Sequence, residues 1–298
     1  MIPYVREIEF DYGVVQQVSP LIRRVIANNP GPFTYKGTGT YIVGHGEVAV
    51  IDPGPDDPAH LAAILAAVAG ETVIAIPITH HHADHSPLAA PLKAATGASV
   101  YGCAVARADA EDTGEVKMEA GHDHDFRPDV SLCGGGTIDG PGWSLEAIAT
   151  PGHTSNHLCY ALAEENACFT GDHIMGWSTT VITPPDGDMT DYLQSLEAIR
   201  ARNFKTLWPT HGPPIREVAP FIDAYLAHRQ ERMDQILLAL AAGPARIGDL
   251  VPRLYRDVDE RLWPAAARSM LAAIIHLERG GDVEAGGPPG PQTVYRLA

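Results

Sequence analysis

One stretch of seven residues, Thr79 to His85, constrains this chain more than any other. It reads T-H-H-H-A-D-H, so four histidines and one carboxylate lie within one short loop. The loop directly follows an apolar, strand-like run at 73–78. It precedes Ser86 and Pro87, which are typical of a helix N-cap and of a first helical residue, and a helix is predicted at 88–96. Side chains on a strand-to-helix loop converge at the carboxyl end of a sheet. Because imidazole and carboxylate suit zinc, and less often manganese or iron, we predict a metal site here.

Three later strand-like runs end in the same residue types. His153 follows a run at 143–149, Asp172 follows one at 167–170, and His211 follows one at 206–208. The candidate metal ligands are therefore His80, His82, Asp84, His85, His153, Asp172 and His211. Seven ligands exceed what one tetrahedral ion needs, whereas two ions that share a carboxylate would use them all. We therefore predict two divalent metal ions, with Zn²⁺ expected and Mn²⁺ or iron as alternatives.

The order of secondary-structure elements favours two packed sheets with outer helices over a doubly wound sheet, because strands and helices are mixed rather than strictly alternating. Residues 40–43 and 47–51 predict a hairpin, Asp57 predicts the cap of a helix beginning at Pro58, and residues 188–202 predict another helix.

The pattern changes near residue 225. Three helices are predicted at 227–242, 247–255 and 264–279, followed by a hairpin of 282–285 with 293–297. Three helices plus a terminal hairpin is the outline of a winged helix, with a plain helical appendage as the alternative. We predict a catalytic domain at 1–225 and a winged-helix-like domain at 226–298.

The combined pattern resembles the metallo-β-lactamase-fold hydrolases, whose signature is a T-H-x-H-x-D-H loop followed by separate His, Asp and His positions. The resemblance covers about residues 30–215 and implies an α/β (α+β) fold, an αββα sandwich. It implies that His80, His82 and His153 hold one metal ion, that Asp84, His85 and His211 hold the other, and that Asp172 bridges them.

A subgroup with a C-terminal winged helix is more similar still, and it includes a lactamase-beta-like endoribonuclease of animal mitochondria. The similar segments are Asn29–Thr34, Lys36–Tyr41, Ser178–Val181 and the pair His228–Arg229.

The predicted chemistry is metal-dependent hydrolysis by a metal-bound hydroxide, which needs no Ser or Cys nucleophile. Asp84 is the predicted catalytic residue, because it could orient the nucleophile or pass a proton to the leaving group. Asp52 ends a strand beside the loop and either hydrogen-bonds the loop or is an ordinary turn residue. His81 is predicted to be solvated or to support the site, and His122 and His124 to lie in a solvated acidic loop. For His157 and His173, substrate contact and a structural role both remain open.

The formal charge of −16 disfavours diffuse binding to phosphate backbones. Residues 1–225 carry 12 Lys and Arg against 28 Asp and Glu, whereas residues 226–298 carry 9 of each. The four cysteines show no CxxC pair, and Cys159 and Cys168 lie in apolar runs, so reduced, buried thiols are expected. With no apolar signal-peptide core and no apolar run of membrane-spanning length, we expect a cytoplasmic, non-membrane protein.

The sequence is compatible with three functions. The first is a small-molecule hydrolase acting on an ester, thioester, lactone or β-lactam bond, which the acidic catalytic part favours. The second is a single-strand-specific endoribonuclease, with RNA as a partner, for which the tail offers a candidate basic face of Arg253, Tyr255, Arg256, Arg261, Trp263 and Arg268. In the third, the tail is a nucleic-acid-binding regulator or forms a homodimer. An iron oxidoreductase is a minor alternative.

Overall fold

The computed structural model describes residues 2–104 and 121–298. The strands of this part are β1 Gln16–Ser19, β2 Ile22–Ile26, β3 Gly39–His45, β4 Glu47–Ile51, β5 Thr72–Pro77, β6 Ser99–Gly102, β7 Val130–Ser131, β8 Gly136–Gly140, β9 Trp143–Ala149, β10 Leu158–Leu162, β11 Ala167–Gly171, β12 Thr206–Pro209, β13 Val283–Ala285 and β14 Tyr295–Leu297. Its α-helices are α1 Pro58–Ala67, α2 Ala89–Thr96, α3 Met189–Ala201, α4 Val218–Ala241, α5 Ile247–Leu254 and α6 Trp263–Gly280.

Two sheets face each other, as the mixed order of strands and helices predicted. The first has the strand order β1-β2-β3-β4-β5-β6-β7, antiparallel as far as β4 and parallel from β4 onward. The second has the order β12-β11-β10-β9-β8, with one parallel pair, β11 with β12. Successive side chains of a strand point to opposite faces of the sheet. Each sheet can therefore bury one face against the other sheet and its opposite face against helices.

Three layers of apolar side chains hold the sandwich together. Tyr41, Tyr160, Phe169 and Trp208 are among those buried between the two sheets. A second layer joins the first sheet to α1 and α2. The third lies on the outer face of the second sheet and includes residues of α3, α4, α5 and α6, so one continuous core joins the sandwich to the C-terminal segment. The fold is the αββα sandwich with a C-terminal winged helix that the resemblance implied.

The C-terminal segment also makes polar contacts with the sandwich. Thr190 Oγ1 lies 2.8 Å from His276 Nδ1, and the Ser269 hydroxyl accepts from the Ile182 N–H at 3.2 Å. Helix α4 begins at Val218, nine residues before the predicted start, and runs through residue 225. The domain boundary at 225 stays a prediction.

Most predicted elements are confirmed, but the predictions for the Ser86 helix cap and for two of the cysteines are wrong. Asp57 caps α1 by accepting from the Ala59 N–H at 2.9 Å. Ser86 does not cap α2, which begins at Ala89, because its hydroxyl donates to Asp123 Oδ2 at 2.7 Å instead.

The second wrong prediction concerns the cysteines. Cys159 and Cys168 are buried free thiols as expected, but Cys103 and Cys133 form a disulfide. Their spacing of thirty residues gave no sign of it, because the two cysteines meet only when the end of β6 and the segment after β7 come together.

No helix in residues 2–104 and 121–298 combines the length and the apolar character needed to cross a membrane.

The packing between the sheets can be tested at Phe169, which is 1% exposed and lies 5.1 Å from the Tyr41 ring, centroid to centroid. We expect Phe169→Ala to lower the free energy of unfolding by about 3–5 kcal/mol, because it removes a large buried side chain and leaves a cavity. Leu238→Ala, at a side chain 75% exposed on α4, is the control and should change it by less than about 0.5 kcal/mol. Urea unfolding measures the free energy of unfolding of both variants. An equal decrease in the two variants would contradict this packing.

Candidate metal centre

The seven predicted ligands lie at one edge of the sandwich and come from both sheets. His80, His82, Asp84 and His85 occupy the loop after β5, which belongs to the first sheet. His153 follows β9, Asp172 follows β11 and His211 follows β12, all in the second sheet. All seven side chains are buried. The facing of the two sheets therefore brings together residues that are far apart in the chain.

The ligand atoms form two adjacent groups. In one, nitrogen and oxygen atoms of His80, His82, His153 and Asp172 all lie within 4.8 Å of one another. In the other, atoms of Asp84, His85 and His211 do the same. The six ligands other than Asp172 divide as the resemblance implied, and Asp172 falls in the first group.

Asp172 lies between the two groups. Its Oδ2 is 3.8 Å from His153 Nε2 and 3.5 Å from His85 Nε2, and its Oδ1 is 3.4 Å from His211 Nε2. A carboxylate with oxygens close to both groups is suited to bridging two ions.

The donor set fits a dinuclear metal site. His85 Nε2 and Asp172 Oδ1 are buried yet have no hydrogen-bond partner, which is costly unless another species binds them. Five imidazoles and two carboxylates are nitrogen and oxygen donors of the kind that divalent transition metals take.

Hydrogen bonds fix which imidazole nitrogen faces the centre. His153 Nδ1 donates to the Val181 carbonyl oxygen at 2.7 Å, and His85 Nδ1 donates to Asp52 Oδ2 at 3.0 Å. His211 Nδ1 lies 3.3 Å from the Gly37 carbonyl oxygen. Each of these contacts leaves Nε2 directed at the other ligands, as is usual for histidines that bind metal.

The surroundings of the centre favour neutral imidazoles at His80 and His82 and protonated ones at His85 and His211. Burial and then neighbouring imidazoles lower the pKa of His80 and His82 well below its usual value, so both are neutral. Burial alone would lower the pKa of His211, but Asp172 and Asp84 raise it to about 10. A metal ion bound by Asp84 and Asp172 would displace such protons, because metal and proton compete for one negatively charged pocket.

Asp52 anchors the ligand loop, as one of the two sequence interpretations held. Its Oδ1 accepts from the Thr79 N–H at 2.8 Å, and its Oδ2 accepts from the Thr79 hydroxyl at 2.7 Å as well as from His85. Thr210, beside His211, donates to the same Oδ2 at 3.2 Å. One buried carboxylate thus fixes both the loop and the end of β12.

His157 has a structural position beside the centre. The Asp172 N–H donates to its Nε2 at 3.3 Å, while its Nδ1 lies 2.9 Å from the Thr150 hydroxyl. His173 is fully buried and packs on the ring of Tyr192 at 4.8 Å. For both histidines, the structure favours the structural alternative over substrate contact.

The prediction of a solvated loop is wrong for His122. Its Nδ1 lies 2.6 Å from His81 Nε2, its ring stacks on that of His81 at 4.6 Å, and its backbone bridges to His82. His81 is itself buried and contacts Asn156 Oδ1 at 2.8 Å, so it supports the loop rather than facing solvent. The sequence gives no sign of this contact, because residues 81 and 122 meet only in the tertiary structure.

Two cavities adjoin each other at the centre. A small one is lined by ligands including Asp84, Asp172 and His211, together with Phe33, Met175 and Val181. The same Phe33, Met175 and Val181 also line a larger cavity of about 270 Å³ between the sandwich and helices α4 and α6, here called the interdomain cavity. Sequence reasoning singled out His228–Arg229, which line it, but did not predict the cavity.

Comparisons with known proteins agree with this description. The model of the metallo-beta-lactamase superfamily matches residues 36–211, and that of the beta-lactamase associated winged helix domain matches residues 247–288. The chain belongs to the metallo-β-lactamase superfamily and is a hydrolase of that superfamily with a C-terminal winged helix.

Individual relatives extend over nearly the whole chain. A Caenorhabditis elegans beta-lactamase-like protein 2 homolog is 30% identical over 275 residues, covering 91% of this chain and 88% of that protein. An Aspergillus fumigatus atrochrysone carboxyl ACP thioesterase is 30% identical over 284 residues, covering 88% and 83%. A metallo-beta-lactamase family protein from Thermus thermophilus has a similar structure, with a TM-score of 0.77, 25% identity and coverage of 95% and 100%.

The role of Asp52 can be tested by Asp52→Asn, which keeps the shape of the side chain but removes its charge. We expect metal affinity to fall about 10–100-fold, because the loop and the His85 ring lose the partner that orients them. Competition with a chromogenic chelator measures the affinity. Asp56→Asn, at a neighbouring acidic residue outside the ligand cluster, should leave the affinity unchanged. An unchanged affinity in Asp52→Asn would show that the loop is held without this carboxylate.

Proposed function

We propose that this protein is a dinuclear zinc hydrolase of small organic acyl compounds, and that within the class of ester, thioester, lactone and β-lactam bonds it cleaves an acyl thioester. The observation that carries the proposal is the continuity between the metal-ligand cluster and the interdomain cavity, which share Phe33, Met175 and Val181. A site for a small substrate is concave and mostly apolar, with a few polar groups that fix orientation. The thioesterase name of the Aspergillus fumigatus relative supports the choice of bond.

The proposed metal ligands are those that the two groups bring together. His80, His82 and His153 would hold one ion, Asp84, His85 and His211 the other, and Asp172 both. When bound, two divalent ions supply an activated water at neutral pH and polarise the carbonyl group under attack. Zinc is preferred because imidazole and carboxylate ligands with no thiolate are common at its catalytic sites.

Asp84 is the proposed catalytic residue. Its Oδ2 lies 3.1 Å from His211 Nε2 and 3.5 Å from His85 Nε2, and its side chain lines the small cavity where the reacting bond would lie. Burial would raise its pKa, but His85 and His211 hold that pKa below the ordinary value, so Asp84 is an anion at neutral pH. As an anion it can orient the nucleophilic water or accept its proton.

The acyl group would lie in the interdomain cavity. Phe33, Met175 and Ile236 contribute apolar walls, and burial of the acyl chain against them would position the thioester carbonyl at the metal ligands. Neither a Ser nor a Cys nucleophile is needed, and the two free cysteines, Cys159 and Cys168, are buried away from this cavity.

An endoribonuclease is the second candidate, favoured by the winged helix and by arginines in the cavity wall. The predicted basic face of the tail gives it little support. Arg261 pairs with Asp259 at 2.6 Å, and Arg256 lies 3.9 Å from Asp257. The Trp263 indole N–H donates to the carbonyl oxygens of Tyr255 and Val258, each at 3.2 Å. Acidic neighbours therefore reduce the positive charge of two of the four arginines in this predicted face. A third candidate is that the tail binds nucleic acid as a regulator or forms a homodimer. We also expect the protein to be cytoplasmic.

The proposal is tested with a substrate panel on protein whose metal content has been measured. Single-stranded RNA, a chromogenic β-lactam, a lactone and an acyl thioester are each offered to the wild type, to Asp84→Ala and to Asp56→Asn. We expect thioester hydrolysis by the wild type and by Asp56→Asn, and a loss of at least about 100-fold in Asp84→Ala, whose circular dichroism stays native.

Other outcomes would overturn parts of the proposal. Cleavage of RNA alone, lost in Asp84→Ala, would establish the nuclease instead. Thioester hydrolysis at full rate in Asp84→Ala would remove this residue from the mechanism.

A further inference from the structure

The interdomain cavity has a charge opposite to that of the protein as a whole. The chain carries a formal charge of −16, yet His228, Arg229 and Arg232 line this cavity, and none of its lining residues is Asp or Glu. All three lie on α4, and Arg229 and Arg232 are three residues apart, which places them on one face of the helix. The cavity is therefore apolar over most of its wall and cationic at one side.

Arg229 is a buried cation that lacks an acidic partner in the described part of the chain. It is 6% exposed, one of its terminal nitrogens donates to the Thr180 carbonyl oxygen, and its guanidinium lies 5.0 Å from the centroid of the Tyr192 ring. Its Nε has no hydrogen-bond partner. Within residues 2–104 and 121–298, no carboxylate forms an ion pair with it. Buried charges are normally paired, so an anion from outside would complete this arrangement.

Arg232 adds a second positive charge that the described residues do not neutralise. Its Nη1 donates to the Leu254 carbonyl oxygen at 2.8 Å and to Gln235 Oε1 at 2.9 Å, both uncharged acceptors. Its guanidinium lies 4.5 Å from the centroid of the Tyr255 ring, which holds it at the cavity wall. Burial, followed by the charges of Arg229 and Arg232, lowers the pKa of His228 to about 4, so this histidine is neutral while both arginines are charged.

We propose that the interdomain cavity binds an acyl group that ends in a carboxylate, with Arg229 and Arg232 pairing with that carboxylate and the scissile thioester lying at the metal ligands. The inference rests on the proposed thioester hydrolysis. Guanidinium groups bind carboxylates through charge-assisted hydrogen bonds, often two at once. Hydrolysis would consume one water, break the bond between carbonyl carbon and sulfur, and release a dicarboxylic acid and a thiol.

The surroundings favour a small anion over a polynucleotide. Arg229 and Arg232 lie in the cavity wall without an acidic partner among the described residues, whereas Arg256 and Arg261 outside the cavity have acidic neighbours in Asp257 and Asp259. A polynucleotide needs a cationic groove that continues along its backbone, but a monocarboxylate needs only one such point.

Matched pairs of substrates test the assignment on the metal-loaded full chain. Each pair contains an N-acetylcysteamine thioester of a linear fatty acid and the mono-thioester of the dicarboxylic acid of equal length, over about four to twelve carbons, a range of chain lengths that a cavity of this size could accept. This thiol carries no phosphate, so any charge preference belongs to the acyl group. At the optimal length, we expect kcat/KM to be at least about tenfold higher for the carboxylated member, mainly through KM.

Variants assign the preference to the cavity. Arg232→Gln should bring the ratio of kcat/KM within each pair close to one. Arg232→Lys, which keeps the charge, should retain part of the preference for the carboxylated substrate. Arg229→Gln should also lower the ratio. Arg253→Gln removes an exposed arginine of α5 and should leave the ratio unchanged. A ratio of one at every length in the wild type, or a ratio that survives in Arg232→Gln, would overturn the assignment.

A binding measurement separates this inference from the proposed hydrolysis. Calorimetry follows binding of non-hydrolysable thioether analogues of the same pairs to the metal-loaded protein. If no thioester is hydrolysed but the carboxylated analogue binds at least about tenfold tighter, with the gain lost in Arg232→Gln, the hydrolysis fails while the anion site stands. Binding of a single-stranded oligoribonucleotide that depends on Arg232, with equal affinity for both analogues, would overturn the anion site in favour of RNA.

Discussion

The buried carboxylate of Asp52 joins parts of the chain that the metal centre needs together. It lies at the end of β4 and accepts hydrogen bonds from Thr79 and His85 of the ligand loop and from Thr210 beside His211. Those partners follow strands of different sheets, so this one side chain links the two halves of the sandwich at the site. Asp52 has φ = 47°, a conformation that costs energy for a residue other than glycine and persists only where surrounding contacts impose it.

The same arrangement explains why so many charged groups can be buried together. Asp52, Asp84 and Asp172 are all buried, and each lies within 4 Å of at least one imidazole nitrogen. Like charges repel strongly where water is excluded, and protonated His85 and His211 offset only part of the repulsion among these carboxylates. Divalent ions would offset that repulsion, so the ligands and the ions they are proposed to hold stabilise the same edge of the fold.

Much of this centre could be predicted from the sequence, because each ligand is contiguous with a strand end that the sequence also indicates. The loop 79–85, His153, Asp172 and His211 each follow a strand-like run, and the family resemblance assigned them to two metal ions. Three features escaped prediction for a common reason, which is that they depend on contacts between distant segments. Asp123 draws the Ser86 hydroxyl away from helix capping, His122 packs on His81, and Cys103 reaches Cys133.

The interdomain cavity belongs to the same category, and its charge could not be read from composition. Averaged over residues 226–298, positive and negative side chains cancel, with 9 of each. The fold separates them, because Asp257 and Asp259 lie beside exposed arginines, whereas Arg229 and Arg232 face a space with no carboxylate among the described residues of its wall. In an acidic protein, an anionic substrate would be repelled by most of the surface and attracted only where such cations are unpaired. Because these two arginines line a cavity that adjoins the metal-ligand cluster, that cavity is the place where a negatively charged acyl group is least opposed.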